Sequence, residues 1–299
     1  MARNFSDSER YIKELFCTGT TFTNNNKHYE VILSDKPTCS KGEPKTDLYI
    51  LVNELEINTR RELKISVKKS NADFLENKIS DERALAIFGQ DWKYIINACT
   101  IQLENKFISK PLIFKHKKGK TNAGSITLGW KFELLNKSNG ELSNKIALSK
   151  KQVIDVYSGT NLPDDKKNAW IKGNRVPNSG IANCLFIGNT EVYNTAQDVI
   201  NNIIPMTTYV ESHPDIYLAC KALNYRTFEQ KFDGDRPLCV FIDWNIKDDK
   251  LTPIVRFDAP LVTCGNAIAS KLLTALNTLN INTTDDITPK NTSSEDFIY

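Results

Sequence analysis

Apolar and polar residues change period several times along this chain, and each change predicts an element. In "FSDSERYIKELFC" (5–17), Tyr11, Ile12, Leu15 and Phe16 recur at helical spacing, behind Ser6 or Ser8 as a cap. "HYEVILS" (28–34) and "DLYILV" (47–52) read as strands. "ELKISVKK" (62–69) alternates strictly, with Leu63, Ile65 and Val67 on one face and Glu62, Lys64, Ser66 and Lys68 on the other. From 70 to 107 the pattern is helical over most of its length, with a break near Gly89. "SITLGWKFELLN" (125–136) predicts a strand pair inside a polar middle rich in Asn, Lys, Ser and Gly. "NCLFIGN" (183–189) predicts a buried strand and "TAQDVINNII" (195–204) a helix. "PLCVFIDWNI" (237–246) and "LTPIVRFDAPLV" (251–262) are strands joined by the turn "KDDK", and "GNAIASKLLTALNTL" (265–279) is a helix. The polar end, 280–299, is expected to be loosely ordered.

This mixture of strands and helices argues α/β or α+β. A chain of 299 residues fits one large domain or two modest ones. Composition is that of an ordinary soluble globular protein, with 40% apolar and 25% charged residues. No apolar run approaches membrane-spanning length and the first residues form no apolar leader, so a cytoplasmic protein with no membrane partner is expected. Seven scattered cysteines without a CxxC pair favour free thiols over a disulfide scaffold or a zinc site. The net charge of +3 does not by itself announce a nucleic-acid partner. The local distribution changes that picture. "KFISKPLIFKHKKGK" (106–120) carries six lysines, Lys117 and Lys118 among them, and no acid. It is either a solvated loop or a phosphate-contacting surface.

The chemistry gathers around Asp47, at the head of the 47–52 run. In an antiparallel pair, residues whose numbers share one sum lie opposite each other. A turn centred near 56–57 sets Asp47 beside Ser66, and one centred near 54–55 sets it beside Glu62. Either register brings an acid and a lysine to one hairpin face: Asp47 with Ser66 and Lys68, or Asp47 with Glu62 and Lys64. Such a face suits phosphodiester hydrolysis. A carboxylate holds Mg2+ with open water positions, the metal polarises phosphate and acidifies water, and a lysine orients the attacking water or offsets charge. The competing reading is an exposed hairpin with a charged face.

"PKTD" (44–47) with "ELKISVKK" (62–69), between two helices, resembles the PD-(D/E)xK nuclease superfamily, and within it type II restriction endonucleases. The resemblance covers about the first third of the chain, and Lys45 and Thr46 stand between Pro44 and Asp47. It implies a restriction-endonuclease-like mixed sheet flanked by helices, with a polar strand and loop insertion for DNA recognition. The corresponding division is a core over 1–120 with the catalytic hairpin, an insertion over 121–180, remaining core elements over 181–279 and a tail over 280–299. It further implies Mg2+ as cofactor, double-stranded DNA as substrate, and a homodimer matched to palindromic sites. In this superfamily the second acid and the lysine end a strand with an apolar interior. That favours Ser66 and Lys68 over Glu62 and Lys64, which follow "NTRR". Some members with Ser-x-Lys take a glutamate from the next helix. Glu82, fourteen residues after Lys68, fits better than Glu76. The implied metal ligands are Asp47 with Glu82, or Asp47 with Glu62. The first helix of the family sometimes supplies an acid. Here Glu9 and Glu14 read first as a solvated helix face.

His28, His116 and His213 form no metal-binding spacing. "NAWIKGNRVPNSG" (168–180) combines Trp170, Lys172, Asn174, Arg175 and Asn178, side chains that contact base edges and phosphates. Lys172, Asn174, Arg175 and Asn178, with Lys69, Lys117 and Lys118, form the expected DNA-binding set; Arg226, Arg236 and Arg256 are less distinctive. Trp244 reads as core and Asp243 as a hairpin cap. The alternative function is a non-catalytic nucleic-acid-binding protein on a degenerate nuclease core.

Overall fold

The strand Leu48–Glu54 is buried on both faces at Leu48, Tyr49 and Ile50, as expected of a strand with layers above and below it. It belongs to the first of two units of a mixed α+β chain. One unit comprises 1–73 and 148–214, the other 74–147 and 215–299. The computed structural model describes residues 5–77, 79–189 and 192–299. The unit boundaries fall at 73/74, 147/148 and 214/215, away from the divisions at 120/121, 180/181 and 279/280 expected with the resemblance.

In the first unit, helix α1 (Phe5–Leu15) precedes β1 (Thr21–Asn24), β2 (Lys27–Asp35), β3 (Leu48–Glu54) and β4 (Thr59–Lys68). These four strands form an antiparallel meander. The strand Cys184–Ile187 then joins β4 in parallel, and Ile203–Pro205 closes the sheet antiparallel to it. A parallel neighbour needs a long crossover, and the chain between Lys68 and Cys184 supplies it. One face of the sheet is apolar, with Val31, Leu48, Ile50, Val52, Ile65, Val67 and Phe186. Ile12 and Phe16 from the α1 region and Val199 and Ile200 from the helix Ala196–Ile200 pack into the same core. The helical pattern at 195–204 stops at Ile200 because Ile203 and Ile204 are drawn into the sheet beside Phe186 and Leu185.

The second unit is built on the strand Ser125–Leu135, with Ile216–Arg226 on one side and Val240–Lys247 on the other. The expected strand pair at 125–136 is this single strand of 11 residues. Gly129 absorbs a bulge rather than making a turn. Pairing opposite it slips between Leu223 and Asn224, and a Cβ there would stand 2.5 Å from the Val240 carbonyl oxygen. The stretch 121–180 is therefore not one polar insertion: 125–135 is a buried central strand here, and 148–180 belongs to the first unit. Residues 74–76 form a strand against this centre, so the helical run starts only at Asp81–Phe88, which Gly89 ends at a φ of 77°. The helices Trp92–Ile101 and Glu104–Ile108 follow.

The tail is docked, against expectation. Ile281, Thr284, Ile287 and Thr292 are buried. Leu251 N–H donates to the Asn291 carbonyl at 2.8 Å, and Leu112 N–H to that of Phe297 at 2.8 Å. A polar average hid sparse apolar anchors and backbone groups that satisfy strand edges. Trp244 is core as expected, its Nε1–H donating to the Thr127 carbonyl at 3.0 Å. Asp243 lies within a strand, ion-paired to Lys271, and is not a hairpin cap.

Candidate active site

Register decides which side chain faces Asp47. The β3–β4 ladder pairs Leu48 with Ile65, Tyr49 with Lys64 and Leu51 with Glu62. The next step of that ladder sets Asp47 against Ser66, and the side chains meet there. Ser66 Oγ donates to Asp47 Oδ2 at 3.2 Å, and the Val67 N–H donates to the same oxygen at 2.7 Å. Asp47 N–H in turn donates to the Ile65 carbonyl at 2.9 Å. Lys68 ends β4 two residues on, on the same face by alternation, and is the strongest positive charge acting on Asp47. Burial nevertheless dominates and raises the Asp47 carboxyl above the usual aspartate range, against the pull of Lys68, the Val67 N–H, Ser66 and Lys36.

The approach to Asp47 is braced from the loop at 180. The Gly180 carbonyl accepts from Lys45 N–H at 3.0 Å and Thr46 N–H at 3.2 Å. Lys45 Nζ donates to the Val156 carbonyl at 2.7 Å. Gly180 has no room for a side chain: a Cβ would stand 1.8 Å from the Lys166 carbonyl oxygen and 2.9 Å from Pro44 Cβ. Gly180→Ala is expected to destabilise the unit by about 2 kcal/mol, through backbone displacement on both sides of the contact. Chemical denaturation compared with wild type checks this, and an unchanged midpoint would contradict the close approach.

Glu9, expected on a solvated helix face, is withdrawn from solvent. It is half-buried on α1, and Lys36 Nζ, just after β2, donates to its Oε2 at 2.6 Å. Lys36 also lies 3.7 Å from Glu43 Oε1. Burial raises the Glu9 carboxyl; the Lys36 hydrogen bond opposes this, and the negative charge of Asp47 raises it further. Two carboxylates thus sense each other at one end of the sheet, and the ammonium of Lys36 bonds Glu9 and acts on Asp47. The sequence carried a signal for this. Positions 5, 9, 12 and 16 fall on one helical stripe, so Glu9 interrupts the apolar face of α1. Glu14, in contrast, is exposed as expected. No sequence feature pointed to Lys36.

Among the described residues no group of three or more His, Cys, Asp or Glu side chains gathers. The carboxylates that sense each other here are Asp47 and Glu9, and Glu9 is paired to Lys36. One or two carboxylates with several retained waters is a donor chemistry that Mg2+ accepts. Both hydrogen bonds to Asp47 fall on Oδ2.

The other expected residues are placed as follows. Glu62 pairs with Leu51, four residues along β4 from Ser66, about 13 Å at strand rise. It accepts from the Tyr49 hydroxyl at 2.7 Å and lies 3.4 Å from Lys64 Nζ. Lys64 Nζ also donates to the Asn178 carbonyl at 3.1 Å. The Glu62 carboxylate is thus bonded within the hairpin, and Lys64 ties the hairpin to the 178–183 loop. Glu82 is exposed on the first turn of the helix Asp81–Phe88 in the second unit, and Glu76 is held by Arg83 at 2.6 Å. Lys69 follows β4 in a turn closed by the Ala72 N–H. Lys117 and Lys118 are exposed in the second unit, Lys118 Nζ lying 4.1 Å from the Tyr299 ring centre. In the first unit, Trp170–Ile171 and Asn174–Arg175 form a two-stranded ribbon turning at Lys172 and Gly173. Lys172, Asn174 and Asn178 are exposed; Arg175 is paired to Asp164 and donates to the Asn168 carbonyl at 3.1 Å. Among the described residues, no helix is long and apolar enough to cross a membrane.

No protein-family model, no curated protein and no solved structure matches this chain.

Proposed function

We propose that the first unit is the core of a Mg2+-dependent endonuclease that cuts double-stranded DNA at specific sites, in the manner of type II restriction enzymes. The observation that carries this reading is the carboxylate of Asp47, bonded by Ser66 and Val67 and facing Lys68, with Glu9 coupled to it electrostatically. The six-stranded mixed sheet of the first unit, with α1 and the helix Ala196–Ile200 on its apolar face, carries Asp47 and Lys68 and is compatible with this reading. In this reading the acid accompanying Asp47 comes from α1 rather than from Glu82 or Glu62. Bound Mg2+ would neutralise phosphate charge and acidify a water. Asp47 and Glu9 would hold it. Ser66 and the Val67 N–H fix the Asp47 carboxylate, and Lys68 orients the attacking water and offsets charge developing on the phosphate. Lys69 and the ribbon residues Lys172 and Asn174, all of the first unit, supply phosphate and base contacts. A homodimer would match a palindromic site.

Incubation with plasmid and phage DNA tests this. Discrete fragments are expected with Mg2+ and none with EDTA. DNA left intact under every divalent metal, yet bound with a steep salt dependence, would replace it with the non-catalytic reading, which Ser66 at the usual acid position favours.

A further inference from the structure

The ribbon beside the site carries a side chain that the proposed chemistry does not use. Trp170 is 44% exposed, whereas the other tryptophans, Trp92, Trp130 and Trp244, are 8%, 3% and 1% exposed. An exposed indole loses the burial that normally retains tryptophan, and tryptophan concentrates where a partner covers it. The ribbon is not loose. Ile171, next to Trp170, is 1% exposed and anchors it. Trp170 N–H donates to the Thr38 carbonyl at 2.8 Å, and Thr38 N–H returns a bond at 3.0 Å. Lys172 N–H donates to Asp35 Oδ2 at 3.3 Å. Asp35 and Thr38 flank Lys36, on the connector that leads into Asp47. Below the ribbon, Asn178 and Gly180 accept from Lys64 and from Lys45 and Thr46. The segment that carries Trp170 thus also holds, through Gly180, the two residues that precede Asp47.

Residues 164–180 hold Lys166, Lys167, Lys172 and Arg175 beside Asp164 and Asp165; Asp164 pairs with Arg175, which leaves Lys172 as the exposed cation two residues from Trp170. A rigid, exposed aromatic plane with a lysine beside it suits a polyanion with stackable rings. Resting on the endonuclease reading above, we infer that Trp170 stacks on a nucleobase next to the scissile phosphate, unstacking it from its neighbour, while Lys172 contacts the backbone. The ribbon is then the element that couples DNA seating to the Asp47 site.

Tryptophan emission reads this directly, because Trp170 is the solvent-facing component. The full chain is titrated in EDTA with random-sequence duplex DNA, with the same pool as single strands, and with heparin as a polyanion without bases. The difference between wild type and Trp170→Phe isolates the emission of Trp170. Strong quenching of that component by both DNAs and little by heparin is expected. Anisotropy of labelled DNA should show Trp170→Ala binding about tenfold more weakly and Trp170→Phe near wild type, as base stacking predicts. Circular dichroism and melting confirm that both variants fold, as an exposed position predicts. DNA binding that leaves the Trp170 component unchanged overturns the inference while leaving the nuclease reading intact. Equal quenching by heparin overturns stacking. No DNA binding at all overturns both.

Discussion

Lys68→Ala lowers the single-turnover rate of DNA cleavage by about 10²- to 10³-fold, the usual loss when one charge-stabilising donor is removed from an active site. Lys64→Ala leaves that rate within a few-fold and lowers the melting temperature instead. The two lysines share a strand face and differ in what surrounds them. Lys68 is the strongest positive charge on Asp47. Lys64 is committed elsewhere, 3.4 Å from Glu62 and bonded to the Asn178 carbonyl at 3.1 Å. Losing that bond costs about 1 kcal/mol of stability. Parallel cleavage and melting measurements on both variants decide the matter. Cleavage that survives Lys68→Ala and disappears with Lys64→Ala would reverse the assignment.

Asp47→Asn abolishes cleavage to a similar degree and, without metal, makes the protein melt a few degrees higher at neutral pH. The second effect follows from the raised pKa of the buried carboxyl. A raised acid pKa means that the native state binds more protons than the unfolded state, between the ordinary aspartate value, about 3.9, and the raised one. Stability therefore falls as pH rises through that window and stays lower above it. Asn keeps an acceptor for the Val67 N–H and carries no charge to desolvate. The advantage of the variant should vanish below about pH 4, where the wild-type carboxyl is protonated in both states. Added Mg2+ should raise the wild-type melting temperature and leave that of Asp47→Asn unchanged; metal at 100-fold its dissociation constant corresponds to about 2.7 kcal/mol. The raised Glu9 carboxyl acts in the same direction, so metal binding should strengthen with pH as both acids ionise. A variant less stable than wild type at pH 7 without metal, or one still stabilised by Mg2+, would refute this account of Asp47.

The hairpin was readable because strand alternation has a period of two. Once "ELKISVKK" is a strand, Glu62, Lys64, Ser66 and Lys68 must share a face. Its register was not readable, since the two turn centres near 56–57 and 54–55 differ only in how "NELEINTR" closes. Asn58, in the left-handed region at a φ of 48°, is part of the closure that the fold selects. The helix break at Gly89 was legible because glycine ends helices. The strand pair expected over 125–136 is one strand, because an isolated glycine such as Gly129 can mark a bulge, and the closeness of the neighbouring strand decides that it does here. The docked tail escaped a reading based on average polarity, because four buried side chains among twenty residues leave little trace in composition.

The sequence by itself determined the mixed class, the apolar stripe of α1, and the shared polar face of β4, since these depend only on local periodicity. The tertiary structure decided that Ser66, not Glu62, stands beside Asp47, that Glu9 and Lys36 come to the same end of the sheet, and that the 166–183 loop braces Lys45 and Thr46. Those pairings join positions as far apart as 46 and 180, and only the closure of the chain around a common core brings such residues into contact.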